Sequence, residues 1–420
     1  MANVIVVGGG AAGMMAAIAA AQNHHRVVLL EKNEKLGKKI YITGKGRCNV
    51  TNACDRDTFF SHVVSNPRFL YSAFDGFSNW DLYGSLEEWG LPLKVERGER
   101  VFPESDKSSD VIRTLQRQLE KLGVDIRLNT RVEALLYKEE DEKKRCVGVK
   151  LTDQKLLADA VIVATGGLSY PQTGSDGDGY RFAKEQGHFV TPLYPSLVGF
   201  RCQEEVPRRL QGISLKNVEI RILELDANGM VVGKKPVYSG FGEMLFTHFG
   251  VSGPLILTAS ALLAGTMKTK KRLVIDFKPA LSEEQLEKRL LRDFEEYKQK
   301  NFKTAVGGML PARLLDEVIL ASGVSPDKKA SEISKKERQA FIKALKEFTL
   351  TITGLIGYNE AVVTKGGVAV DQVNPKTMES KLVSGLYFAG EVLDLDAFTG
   401  GFNLQIAWST GYAAGSHIQA

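Results

Sequence analysis

Cysteine is scarce in this chain of 420 residues, and its spacing is uninformative. Cys48, Cys54, Cys146 and Cys202 form no C-x-x-C pair and no Cys/His pattern of metal-ligand spacing, so no metal is expected and free thiols of a reducing cytosol are the plain reading. A long apolar run is missing too. The most apolar later stretch, Val251 to Met267, is interrupted by Gly, Ser, Pro and Thr and reads as buried core rather than a membrane span. Met1-Ala2-Asn3 leads straight into an apolar strand without the basic segment of a secretory leader, so a cytoplasmic location is expected. Neither sign of charge dominates: 55 Lys plus Arg against 50 Asp plus Glu leaves +5, too little to name a polyanionic partner by itself. What remains is an ordinary globular composition, 43% hydrophobic and 25% charged, long enough for two or three domains with ample core.

The first thirty-odd residues carry the strongest signal. Val4-Ile5-Val6-Val7 reads as a buried parallel strand, Gly8-Gly9-Gly10-Ala11-Ala12-Gly13 as a tight turn, and Met14 to Gln22 as a small-residue helix. Val27 to Leu30 gives a second strand, and Glu31 stands at its end. Strand, G-x-G-x-x-G, helix, strand and acid in this order form a dinucleotide-binding fingerprint. Gly8 permits the turn, Gly10 lets the backbone approach a pyrophosphate at the helix N-terminus, and Gly13 lets helix and strand pack closely. The Glu31 carboxylate is placed to accept hydrogen bonds from an adenosine ribose. Ala12 and Lys32 join these as cofactor-binding candidates. A turn without a ligand would leave the spacing of Glu31 unexplained.

Lys32 to Asn52 carries six basic side chains and one acidic one. Charge runs are usually solvated faces. This one ends in Gly44-Lys45-Gly46-Arg47-Cys48-Asn49, and glycines beside cations suit a backbone that approaches phosphate or flavin. Gly44, Gly46, Arg47, Cys48 and Asn49 are therefore assigned to the cofactor site. Phe59 to Leu91 reads as helical, with its aromatic residues in the core. Val111, Leu115, Leu119 and Leu122 keep helical spacing up to Gly123. Val124 to Leu128, Val132 to Tyr137 and Cys146 to Leu151, with a charged turn Lys138 to Lys144, read as an antiparallel meander. Ala160 to Val163 returns to a buried parallel strand, and the Ala164-Thr165-Gly166-Gly167 that follows places Thr165 and Gly166 beside the cofactor.

Pro192 and Pro195 mark a boundary, and residues 192–361 read as an insert, β-rich over 192–280 and helical over 281–361. Ser282-Glu283-Glu284-Gln285 is a capping box that opens a helix, with two more over Pro311 to Ser322 and Glu332 to Phe348. Within Gly242 to Leu257, His248 is a candidate catalytic residue that faces the cofactor, although a lone histidine is more often satisfied structure. The last sixty residues resume the first pattern. Gly385 to Glu391 is a strand ending in Gly390-Glu391, and Thr399-Gly400-Gly401-Phe402-Asn403 opens a helix through Leu404 to Ala414. The Glu391 carboxylate suits a ribityl hydroxyl. The helix start suits negative charge on a reduced flavin, which places Gly400, Gly401, Phe402 and Asn403 at the ring. Asp394 is a further candidate there.

VGGGAAG, TGKGRCNVTN, ERVFPES, ATGGLSYPQTGSDGDGY, LFTHFGVSGP, TKGGV, TMESK and GLYFAGEVLDLDAFTGGFNLQIAWSTG together resemble the BaiN/YhiN-type flavoproteins, also called the aminoacetone-oxidase-like or NAD(FAD)-utilising dehydrogenase family. The resemblance runs from one chain end to the other. It implies an α/β fold with FAD as non-covalent cofactor. A Rossmann-like FAD-binding domain over 1–191 and 362–420 would be built from both chain ends, with a β-barrel-like plus helical insert. It also implies flavin redox chemistry, with amine oxidation, enone reduction on steroids and reduction of a uridine in large-subunit ribosomal RNA attached to members. No second G-x-G-x-x-G is present, so NAD(P)H is expected as a transient co-substrate rather than a resident.

Cys48 has two readings, a general acid that protonates carbon after hydride delivery and a small buried residue in a tight loop, the second being the plainer. The charge balance bears on the substrate. Residues 192–361 hold 26 Lys plus Arg and 20 Asp plus Glu, and the rest of the chain holds 29 and 30. The net positive charge therefore belongs to the insert, which favours ribosomal RNA over a small amine or enone. A flavin-containing RNA-binding protein without turnover is the alternative of another class.

Overall fold

A computed structural model describes residues 1–140, 143–233 and 235–419. The chain forms two compact units, Met1–Leu197 with Gly357–Ala420, and Val198–Ile356.

The first unit is built on five parallel strands, β1 (Asn3–Val7), β2 (Arg26–Leu30), β3 (Asp125–Arg127), β4 (Ala160–Val163) and β5 (Leu386–Phe388), in the order β5-β4-β1-β2-β3. Parallel strands covered on both faces need continuous apolar sequence, and Val4 to Val7 and Ala160 to Val163 are buried throughout. The strand order reverses between β1 and β4, the point at which open α/β sheets leave a crevice beyond their carboxyl ends. Helix α1 (Ala11–Gln22) has no polar stripe and is buried on nearly every side. It packs against the C-terminal helix α2 (Phe402–Ser416), where a methyl group on Gly411 or Gly415 would collide with the backbone of Ala12 or Ala16. Small residues on both helices are thus a packing requirement.

The expectation for Val124 to Leu128 needs correction. Asp125–Arg127 pairs in parallel with β2 and belongs to the main sheet. The helix Ser108–Lys121 precedes it, and a strand reached through a crossover helix lies parallel to the one it left. The meander itself consists of Val132–Glu140, Lys143–Leu151 and Lys155–Leu157. The tip of the expected charged turn, residues 141–142, lies outside the described residues. The aromatic stretch folds as three short helices, Arg56–Ser61, Pro67–Gly76 and Asn79–Glu88. Phe59, Phe74 and Phe77 are buried there, with Phe59 stacked on Phe74 at 4.3 Å.

In the second unit Ser214–Leu225, Tyr238–Thr247, Gly250–Ser252, Phe200–Cys202, Phe348–Leu355 and Lys271–Asp276 pair antiparallel in that order, and the last returns to the first. The result is a closed six-stranded barrel, which leaves these strands no free edge. Ser282 and Gln285 make both bonds of the capping box, and the helix they start is Glu283–Glu296. The helical part ends at Lys346, short of the expected 361. Phe348–Leu355 alternates buried and exposed residues and is a barrel strand. Tyr194–Ser196, expected at the start of the insert, pairs instead with Val363–Lys365 inside the first unit. Val251 to Met267 contributes a barrel strand and the helix Pro254–Leu263. Among the described residues no helix is long and apolar enough to cross a membrane.

Candidate active site

At the carboxyl ends of β1 and β4 lies a cleft whose empty volume, open solvent included, is ≈ 1300 Å³. Its floor is Gly8-Gly9-Gly10 and the start of α1. Gly8 has φ +106°, and a side chain there would reach to 2.6 Å from the Ala164 carbonyl oxygen, so only glycine fits between β1 and β4. A methyl on Gly13 would collide with the Gly8 carbonyl, whereas Gly10 faces open space. No side chain caps α1. Its first-turn N–H groups and the positive end of its dipole are therefore turned to the cleft.

Glu31, at the end of β2, is buried in the cleft wall. Its carboxylate accepts hydrogen bonds from Gly9 N–H at 2.7 Å, Asn33 N–H at 2.8 Å and Asn33 Nδ2 at 2.7 Å. A carboxylate offers about four acceptor sites, so one stays open. Beside it Lys32 reaches Asp176 at 2.6 Å and Asp178 at 3.1 Å, and Arg131 reaches Asp178 at 3.1 Å. Burial pushes the Asp178 carboxyl up, but Lys32 and Arg131 together hold it below the usual range.

The other end of the cleft is organised by Glu391. Its carboxylate accepts from Lys39 Nζ at 2.6 Å, Ser169 Oγ at 2.6 Å and Thr364 N–H at 2.9 Å, and Lys39 also reaches Ser169 Oγ at 2.5 Å. Thr364 Oγ1 accepts the N–H groups of Leu168 and Ser169 at 2.8 and 3.1 Å. Thr165 Oγ1 is buried and has no partner. Asn403, on the first turn of α2, receives Ala397 N–H at 2.9 Å and donates to Ala397 O at 2.7 Å, which pins the loop before the helix.

Along its whole length the chain matches a known sequence pattern: the description of the HI0933-like protein Rossmann domain fits residues 2–417. The chain belongs to the HI0933-like family. It is 32% identical over 390 residues to a 3-dehydro-bile acid delta(4,6)-reductase of Clostridium scindens, covering 92% of this chain and 91% of that protein. It is 33% identical over 393 residues to a ribosomal RNA dihydrouridine synthase of Haemophilus influenzae, covering 93% and 92%. A protein of the same name from Escherichia coli is 30% identical over 394 residues, covering 93% and 92%. In fold the chain resembles a 3-ketosteroid-delta4-(5alpha)-dehydrogenase of Rhodococcus jostii RHA1, with TM-score 0.51, 17% identity, and coverage of 99% of this chain and 96% of that one. This HI0933-like chain is an FAD-dependent oxidoreductase.

Its residues fit the cofactor: an uncapped helix start for phosphate, open space at Gly10, a free acceptor site on Glu31 and the partnerless Thr165 Oγ1. Of the residues singled out in the sequence, Gly8, Gly10, Ala12, Glu31, Lys32, Thr165, Gly166, Glu391 and Asn403 line this one cleft. Gly13 and Gly390 stand behind them as packing positions; a methyl on Gly390 would press on Ala12 Cβ at 2.7 Å. Gly401 caps α2 at φ +100°, where a methyl would collide with the Thr51 backbone, and Gly400 accepts Asn52 Nδ2 at 3.0 Å. Phe402 is buried beside Phe59.

The Gly44 to Asn49 loop is placed otherwise than its composition implies. The Arg47 guanidinium lies over the Phe102 ring at 4.1 Å and is held by Glu96 and by Asp106 at 2.8 Å, so its charge is engaged within the protein. Gly44 and Gly46 are left-handed turn positions at φ +56° and +86°. Asn49 Oδ1 is buried without a partner. Cys48 is fully buried, and burial pushes its thiol up to about 12. Burial also pushes the Asp394 carboxyl up. His248 is exposed in the barrel unit, in the turn between Tyr238–Thr247 and Gly250–Ser252. Sequence reasoning passed over Lys39, which lines the cleft, and Ser169 and Thr364, which hydrogen-bond Glu391. Their one sequence signal was membership of the basic run, ATGGLSY and TKGGV stretches.

Proposed function

We propose that this protein reduces a carbon–carbon double bond conjugated to a carbonyl, with NAD(P)H as transient electron donor and a uridine of large-subunit ribosomal RNA as substrate. The observation that carries the bond class is that relatives of nearly equal similarity, at 32% and 33% identity, are named for different substrates that share this one reaction. Two near-full-length relatives named as ribosomal RNA dihydrouridine synthases favour uridine. Bound FAD supplies the two-electron chemistry. The chain's own residues bind and orient it: the α1 N-terminus takes the pyrophosphate, Glu31 the adenosine ribose, and Glu391, held by Lys39 and Ser169, the opposite end. Burial and a raised thiol pKa make Cys48 a packing residue in this reading, and substitution of His248 tests the catalytic role its sequence context suggests.

Deletion of the gene, followed by mass-spectrometric mapping of dihydrouridine in ribosomal RNA, tests the substrate; loss of one site is expected. An unchanged pattern in a strain without a paralogue would remove the RNA reading. The second reading, an enone reductase acting on a steroid-like small molecule, rests on the bile-acid relative. It is favoured if purified protein oxidises NAD(P)H with a conjugated steroid ketone and not with RNA.

A further inference from the structure

The basic clusters of the insert are partly spent on internal pairs. Lys271 is fully buried on Glu224 at 2.7 Å, Lys328 pairs with Glu337 at 2.8 Å, and Arg338 with Glu287 at 2.7 Å. Lys268, Lys270, Lys329, Lys335 and Lys336 are exposed. The basic run of the first unit has a different composition. Lys32, Lys38, Lys39 and Arg47 are all committed to carboxylates. Among the described residues, Lys35 and Lys45 have no carboxylate within ion-pair distance, and both are exposed.

Lys35 lies over an exposed aromatic ring, and Lys45 follows that ring four residues later in the chain. Lys39, Ile40 and Thr43 line the cleft, and between them Tyr41 is 51% exposed. Its backbone is held at both ends, N–H to Gly37 O at 2.9 Å and O from Ser108 Oγ at 2.8 Å, so the ring is presented from a fixed support. Lys35 Nζ lies 5.1 Å from the ring centroid. Lys107, exposed and without an ion-pair partner among the described residues, adjoins Ser108. Lys45 sits at φ +59° between Gly44 and Gly46, a conformation that suits glycine and is strained for lysine. The Arg47 fork and the Cys48 N–H to Thr43 O bond at 3.1 Å hold it there.

Resting on the RNA reading above, we propose that Lys35, Tyr41, Lys45 and Lys107 grip single-stranded RNA beside the cleft, on and around the helix Lys38–Ile42 whose Lys38, Lys39 and Ile40 line it. Tyr41 stacks a base next to the target uridine, and the three lysines meet phosphates. A base must leave its stack before a buried site can act on it, and an aromatic face with cations around it holds such an opened strand in a sequence-tolerant way.

Fluorescence anisotropy with a labelled uridine-containing RNA oligonucleotide, read across a salt series on FAD-loaded protein, tests this. The triple variant Lys35→Glu, Lys45→Glu, Lys107→Glu should lower affinity by about tenfold or more and flatten the log–log salt slope by about 2, at ~0.7 for each phosphate that is no longer neutralised. Tyr41→Ala should cost about tenfold with the slope unchanged. Lys45→Gly keeps the backbone and removes the charge, so it separates grip from folding: weaker RNA binding with undiminished thermal stability is expected. The control Lys335→Glu, Lys336→Glu should bind as the parent does. If the control weakens binding while the triple variant and Lys45→Gly do not, the grip lies on the insert and the proposal is overturned, with the RNA reading intact. If the parent neither binds nor reduces RNA, both are overturned.

Discussion

Lys39 and Glu391 stand 352 residues apart in the chain and 2.6 Å apart in the fold. The pair joins the short helix Lys38–Ile42 after β2 to the helical turn Gly390–Val392 after β5, and both side chains are largely withdrawn from water at 23% and 18% exposure. Lys39 supplies the cation among the groups that hold this carboxylate, the others being Ser169 Oγ and Thr364 N–H. Lys39→Ala is expected to weaken FAD binding about tenfold, as loss of a partly buried, hydrogen-bonded pair costs about 1–2 kcal/mol. Titration of apoprotein with FAD, followed by flavin fluorescence, checks it. Lys39→Arg should restore most of the affinity; if Lys39→Ala binds FAD as the parent does, Lys39 has no part in the site.

Glu31→Ala removes the acceptor for three donors at once, Gly9 N–H, Asn33 N–H and Asn33 Nδ2. Each buried donor left unpaired costs about 1–3 kcal/mol. Loss of bound flavin and a clear fall in melting temperature are expected together. A yellow Glu31→Ala protein with parental affinity would contradict the adenosine assignment.

Gly167 tests the other end by steric means alone. A methyl there would lie 2.5 Å from Thr364 Oγ1 and 2.8 Å from Glu391 Oε1, with no strain of φ to confuse the result. Gly167→Ala should displace Glu391 and reduce FAD occupancy while leaving the circular dichroism of the fold in place. Occupancy equal to the parent's would show that Glu391 tolerates displacement.

Cys48 and Cys202 are pushed up to about 12 and Cys54 and Cys146 to about 11, in each case by burial, from an ordinary value of 9.0. A thiol whose folded pKa is raised contributes stability that is complete below its unfolded pKa and is lost as pH climbs through the folded one. Stability to urea should therefore hold to about pH 9 and fall between pH 9 and 12. Cys48 should also resist alkylation in the native protein at pH 8, since the thiolate is the reactive form. Cys48→Ala with full turnover and an unchanged pH profile would assign the residue to packing; a lost alkaline limb would restore it as an acid.

Sequence patterns were legible where a backbone geometry demands one residue type. Gly8, Gly13 and Gly401 are required by collisions that any side chain would cause, and the run Val4 to Val7 by burial on both sheet faces. The β-rich insert was legible in the residues as short strands, but its barrel character came only through the family resemblance, because Ser214–Leu225 meets Lys271–Asp276 through pairing partners that composition does not name. The basic run misled for Arg47, since a cation's partner depends on what the fold brings beside it, here Glu96 and Asp106.

By itself the sequence determined the dinucleotide fingerprint, the reuse of both chain ends and the resemblance to flavoproteins, since each rests on short-range constraints: turns, helix starts and strand periodicity. Tertiary structure alone decided which charges remain for a ligand. Lys39 and Lys45 lie six residues apart in one basic stretch, yet one is tied to Glu391 from the far end of the chain and the other is exposed, with no carboxylate partner among the described residues. The energy of a charge depends on distance and burial, and neither is a property of neighbours in sequence.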